Sequence, residues 1–273
     1  DALRYRWLKS AATLPPGHLP PDPFPPGPDR REAEALRALF RPEPQDLARH
    51  LAALPLHLPG TALALWRWGQ DRVHRGAFTP ALRRAWEDRL LSAGPILTRG
   101  YALRHALCWA LAEHDETRFA ALKTYRAQFS DDTFELFQRL FGLLGGPSPA
   151  LRLWALPGLA YRDLRLDQLG AQRIWIQPAG AGALAPLPPG VAWIIPGADG
   201  MQDPRDADLT GASKSEGEAL SMRLQAANLH AYLAPSVSDM ERLGLVWFPA
   251  LVTLDAQGFL KDIRMGDAAP DHP

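Results

Sequence analysis

The sequence predicts an all-α domain over residues 29–150 followed by an α/β domain over 151–273, with a proline-rich arm at 1–28 ahead of both. Three observations carry this reading. From 29 to 146, apolar residues recur at helical spacing and are interrupted by Pro or Gly after roughly every 10 to 16 residues. After Gly146, short apolar runs rich in β-branched and aromatic residues alternate with helical ones, the pattern of parallel strands joined by crossovers. The length of 273 residues is also more comfortably divided between two cores than packed into one.

The arm comes first. Residues 14–28, LPPGHLPPDPFPPGP, hold eight prolines. Proline fixes φ and lacks an amide donor, so an extended polyproline-II arm is expected rather than helix or sheet. It reads either as a docking arm for a partner or, more plainly, as a semi-rigid leader lying on its own domain.

Helical segments follow at 30–40, 44–54 and 61–76. Thr79 followed by Pro80 marks a helix start, with the hydroxyl as cap and proline at the first helical position, and that helix stops at Gly94. Thr98 is expected to open the next, through 114, and 115–129 follows at once. The last, 130–146, is capped by Ser130 or an adjacent Asp and closed by paired glycines. Seven helices with short links make a bundle or short solenoid. Trp66, Trp68, Trp86, Trp109, Phe119, Phe134, Phe137 and Phe141 are expected in its core, the last three on one helical face.

In the second domain, strands are expected at 172–178, 191–197, 228–235, 250–255 and 259–265. A helix at 213–227 joins the second to the third, and a short one at 236–245, ending at Gly244, joins the third to the fourth. The last two strands meet in the turn Asp255-Ala256-Gln257-Gly258, where Gly258 supplies a left-handed conformation.

Bulk chemistry excludes several functions. Hydrophobic residues at 47% and charged residues at 22% describe a globular chain, neither wholly disordered nor membrane-embedded. Thirty basic residues balance thirty acidic ones without a dense Lys/Arg run, so no capture of nucleic acid or anionic lipid is expected. No apolar run approaches the roughly 18 residues of a bilayer span, so no direct membrane insertion is expected. Asp1 in place of Met fits a removed leader or a trimmed chain. Cys108 is the only cysteine, so neither an intramolecular disulfide nor a Cys-only metal site can form.

The stretch 229–267, LHAYLAPSVSDMERLGLVWFPALVTLDAQGFLKDIRMGD, resembles the thioredoxin superfamily. The shared features are a strand, a helix ending in RLGL, a proline after a hydrophobic residue, a strand, a D-x-x-G turn, a last strand and a glycine. The resemblance implies a cis Phe248-Pro249 bond beside an active-site loop. Thioredoxin-like enzymes carry Cys-x-x-Cys in that loop, where helix-terminal amides stabilise the thiolate. Here the equivalent stretch, IIPGADGMQDPRDADLTGASKSEGEA, holds no cysteine, and one thiol cannot cycle a dithiol with itself. Dithiol oxidoreductase chemistry within the chain is therefore excluded.

No other constellation supplies catalysis or a cofactor. His105 and His114 are nine helical steps apart and fall on opposite faces, so they and Cys108 cannot share one ion; Cys108 reads as a small buried hydrophobe and His114 as a surface residue near the helix end. Asp199, Asp203, Asp206 and Asp208 form an acidic loop without EF-hand spacing. Ser213 and Ser215 read as capping residues. No phosphate-loop, Gly-x-Ser-x-Gly or His-Glu-x-x-His motif occurs, and no metal or cofactor is expected.

The remaining functional surface is the proline edge. The resemblance implies that the loop carrying Ala198, Asp199, Gly200 and Met201 lies beside Trp247, Phe248 and Pro249, forming a groove able to bind an extended protein partner. Trp247 has two orientations open to it, toward the groove or inward onto the helical domain. The expectation is a non-catalytic thioredoxin-like adaptor, a scaffold in a bacterial cell-envelope assembly. The phrase ERLGL..FPALVT is similar to thioredoxin-like components of conjugative type IV secretion systems and integrating conjugative elements, which implies a periplasmic or envelope location. A thiol-independent enzyme using residues 197–215, a peptide-binding chaperone, and a cytoplasmic location stand as alternatives.

Overall fold

The computed structural model describes residues 54, 56, 59–128, 131–156, 160–177, 187–196, 211–227, 229–234, 240, 243–245 and 247–269. A helical region precedes a mixed sheet with helices, a mixed α/β architecture. The chain divides into two compact units, 1–106 and 107–273, and the border falls within a single helix. The proline-rich arm and the expected helix at 30–40 lie outside the described residues, as does all of 44–54 except Leu54.

In the first unit, helix α1 (Pro59–His74) and helix α2 (Pro80–Ala93) lead into helix α3 (Ile96–Ala112), which crosses the border. Thr79 caps α2 by accepting from the Leu82 amide at 3.3 Å, with Pro80 in the first turn, and the Gly94 amide donates to the Leu90 carbonyl at 2.9 Å. The third helix opens two residues before Thr98, directly after Pro95, whose carbonyl accepts from the Arg99 amide. Trp86 is fully buried, stacks on Trp66 at 5.1 Å and donates from Nε1 to the Leu65 carbonyl at 3.0 Å. Its indole reaches α1 because position 69 is glycine: a Cβ there would lie 2.0 Å from Trp86 Cε2.

In the second unit, helix α4 (Glu116–Leu122) begins where Asp115 accepts from the Arg118 amide, but the expected helix over 115–129 tightens at Lys123 into a 3-10 segment, Lys123–Gln128. The Thr124 hydroxyl donates to the Ala121 carbonyl at 2.9 Å, which competes with regular α hydrogen bonding at that turn. Helix α5 (Asp131–Leu143) buries Phe134 and Phe137 of the expected apolar face together with Leu140, while Phe141, the third expected residue, is half-buried beside Phe119 at 4.9 Å. The paired glycines after it do more than end the helix. Gly145 donates to the Leu260 carbonyl, and Gly146 accepts from the Leu260 amide.

The sheet has seven strands: β1 (Leu151–Leu156), β2 (Ala160–Leu164), β3 (Arg173–Ile176), β4 (Val191–Pro196), β5 (Ala231–Ala234), β6 (Ala250–Leu254) and β7 (Leu260–Met265). Their order is β2-β1-β5-β4-β3-β6-β7. β3, β4 and β5 are parallel, and the remaining pairs are antiparallel. Helix α6 (Gly211–Ala226) forms the β4-to-β5 crossover, as expected, whereas of the 236–245 helix only positions 240 and 243–245 are described. The β1 and β2 pair was not among the expected strands; its alternation of buried Leu151 and Leu153 with half-buried Arg152 and Trp154 spans only one short run. Helix α6 begins at Gly211, so Ser213 and Ser215 fall within its first two turns rather than before it.

Register gives each sheet face a separate core. Trp175, Trp193, Ile195, Leu233 and Leu251 form one buried cluster with Leu220 and Leu224 of α6. Ile174, Ile176, Ile194, Val252 and Ile263 alternate with them onto the opposite face and are also buried. Burial on both faces is why RIWI and VAWIIP read as continuous apolar runs. At the β6 to β7 turn, Gly258 has φ +84° and Asp255 Oδ1 accepts from the Gln257 and Phe259 amides, the predicted turn chemistry in full.

Candidate functional site

The site lies at the end of the sheet where the parallel strands finish. Ile176 of β3 pairs with Ile194 of β4 and with Ala250 of β6, and Pro196 of β4 pairs with Ala234 of β5. Since β6 runs the opposite way, it starts at this same end, and the residues just before it face the carboxyl edge of three parallel strands. That edge is where α/β sheets commonly meet their ligands.

Phe248-Pro249 is the peptide bond immediately before β6, and it is cis. The Pro249 carbonyl accepts from the Gly266 amide at 2.9 Å, which joins the start of β6 to the end of β7. Trp247, Phe248 and Pro249 are each half-buried. The Trp247 ring lies 5.3 Å from Phe137 at 44°, so it packs on α5 while part of the three-residue segment meets solvent. Gly244, at φ +72°, brings the backbone against the same helix; a Cβ there would lie 2.8 Å from Leu140 Cγ and 3.3 Å from the Leu136 carbonyl. Helix α5 is thus a wall behind the segment, a role hidden in sequence because Phe137 is more than a hundred positions from Trp247.

Ala198, Asp199, Gly200 and Met201 lie outside the described residues, together with the whole acidic stretch 197–210. The strand that leads into that stretch is nevertheless placed. β4 is separated from β6 by β3, so the two strand ends lie about 10 Å apart, two strand spacings, at one edge of the sheet. Next-neighbour strands would have brought them to half that distance.

Several titratable groups elsewhere are engaged within the described structure. His105 is buried in the first unit, and its Nδ1 donates to Glu87 Oε1 at 2.9 Å; the same carboxylate faces Arg83 Nε at 3.4 Å. Sequence inspection weighed His105 as a metal ligand and missed Glu87, although the Arg83 and Glu87 spacing of four on one helix was a legible sign of an ion pair. Cys108 is buried in α3. His114, half-exposed with φ +54° beyond the end of α3, faces Asp262 Oδ1 at 3.6 Å. Among the described residues no group of three His, Cys, Asp or Glu side chains is placed to hold a metal.

A depression of about 330 Å³ opens at the opposite end of the sheet, lined in part by Asp167, Gln172, Asp255 and Gln257. Its carboxylates are engaged in local structure: Asp167 takes two bonds from the Arg165 guanidinium, and Asp255 holds the turn. No helix of the described residues is long and apolar enough to cross a membrane. No protein-family profile, curated protein or solved structure matches the chain.

Proposed function

We propose that the chain is a non-catalytic, thioredoxin-like adaptor that holds a protein partner at the Trp247 to Pro249 edge, as a scaffold subunit of a bacterial cell-envelope assembly. A conjugative type IV secretion apparatus is the narrower setting, and it rests on the phrase ERLGL..FPALVT. The observation that supports the adaptor most is the half-buried Trp247-Phe248-Pro249 segment at the carboxyl edge of a three-strand parallel core, in a chain whose single thiol is buried within a helix. Such an edge offers backbone and half-buried aromatic surface to an extended segment, and a chain with one cysteine has no dithiol to place there.

The test is site-specific photo-crosslinking in native envelopes, with a photoreactive phenylalanine analogue at position 248 and, separately, at exposed Met222 on α6. A discrete protein adduct from 248 that is missing from 222 is expected, and insulin reduction by the purified chain should stay at the blank rate. Identical adducts from both positions, or no adduct from 248, would overturn the adaptor reading. Adducts to many unrelated unfolded proteins would instead identify a chaperone.

A further inference from the structure

Among the described residues five large apolar side chains are exposed, and three of them, Ile96 (56%), Leu97 (65%) and Tyr101 (42%), belong to the first turns of α3. Leu97 and Tyr101 are four residues apart and share one helical face. Contiguous exposed apolar surface on an otherwise polar exterior marks a place where something binds. All three residues lie within the first unit.

Tyr101 is held as a platform. Its inner face stacks on Trp66 at 5.9 Å and 23°, Trp66 stacks on Trp86 at 5.1 Å and 15°, and Trp86 is pinned by its bond to the Leu65 carbonyl. A row of three stacked rings therefore runs from the buried centre of the unit to its surface, where the last ring's residue is 42% exposed. A rigid aromatic face flanked by aliphatic side chains is the surface on which proline rings pack, and a polyproline segment gives up little conformational entropy on binding it.

We infer that residues 14–28 of the same chain, LPPGHLPPDPFPPGP, dock on this face of α3. Two features of the chain select that occupant. The segment supplies eight prolines together with Leu14, Leu19 and Phe24, and it holds no Lys or Arg and a single acidic residue, Asp22, so it is an apolar match for an apolar face. The tether reaches: α1 begins at Pro59, Trp66 beneath Tyr101 lies about 10 Å of helix rise further on, and the intervening residues 29–58 can span up to about 100 Å. A tether of that kind gives an effective concentration on the order of millimolar, so modest intrinsic affinity is enough to fill the site.

The experiment uses the full chain with p-benzoylphenylalanine in place of Leu97, or in place of Ile96 should the first variant not match the wild-type thermal melt. After dilute irradiation, adducts of monomer mass whose peptides map to 14–28 are expected. Replacing Pro20, Pro21, Pro23 and Pro25 with Ala should lower their yield about tenfold, as loss of the proline contacts weakens docking. The same probe at Met222 should give none. Adducts of dimer mass would assign the face to a second copy, and adducts to other segments, equal yields from 97 and 222, or no adduct would each overturn the inference.

Discussion

Gly69 and Gly142 both sit inside helices, yet the same substitution should move stability in opposite directions. At 69 an added methyl would meet Trp86 at 2.0 Å, and the indole cannot retreat without breaking its bond to Leu65. Gly69→Ala should cost about 3 kcal/mol, the upper range for overpacking. At 142 nothing lies within 4 Å, so Gly142→Ala should stabilise by about 0.5 to 1 kcal/mol through lower unfolded-state entropy. Paired denaturant titrations decide this, and equal effects at the two positions would refute the packing account. Glu87 supplies a second prediction. The carboxylate that His105 and Arg83 both face is 1% exposed, so Glu87→Ala should cost about 3 to 5 kcal/mol, as removing one partner from a buried charge network does. A loss below about 1 kcal/mol in urea unfolding would show that water reaches the cluster.

Between elements, the segment before β6 is fixed to α5 by two contacts, Trp247 on Phe137 and Gly244 on Leu140. If the first is a direct interaction, Phe137→Ala and Trp247→Ala should be non-additive. A double-mutant cycle is expected to give a coupling of about 0.5 to 1.5 kcal/mol, and additive losses would mean the rings merely share a cavity wall. How legible these elements were depended on how local their cause is. The α2 cap at Thr79 and the turn at Gly258 rest on bonds spanning a few residues, and both were read from sequence. The opening of α3 was missed by two residues because the Pro95 carbonyl, not the Thr98 hydroxyl, accepts the first amide bond. The α5 face was visible in the phenylalanine spacing, but what it supports was not.

For the whole molecule, 30 basic and 30 acidic residues put the isoelectric point near 7.3. Self-repulsion is then weakest at neutral pH, so solubility of the purified chain should pass through a minimum near pH 7 and rise on either side. Polyethylene-glycol precipitation across pH 5 to about 9 reads this directly; a flat profile would point to association through apolar surface instead of through charge.

At this scale, although β1 and β2 were missed, the chain order of the described helices and of strands β3 to β7 was readable, since hydrophobic period and Pro/Gly punctuation are local properties. So was the absence of dithiol chemistry, because one cysteine is a count and no fold can alter it. The strand order was not readable: β1 and β2 join the sheet through β5, nearly eighty residues later in the chain, and β3 inserts itself between β4 and β6. Trp247 was likewise equally compatible with a groove or a core until the contact with Phe137 placed it. Sequence thus determined most of the described elements, β1 and β2 excepted, and that one cysteine cannot form a dithiol, because those follow from neighbouring residues and composition. Only the tertiary structure decided which strands adjoin and which way an aromatic ring faces, because those depend on contacts between residues far apart in the chain.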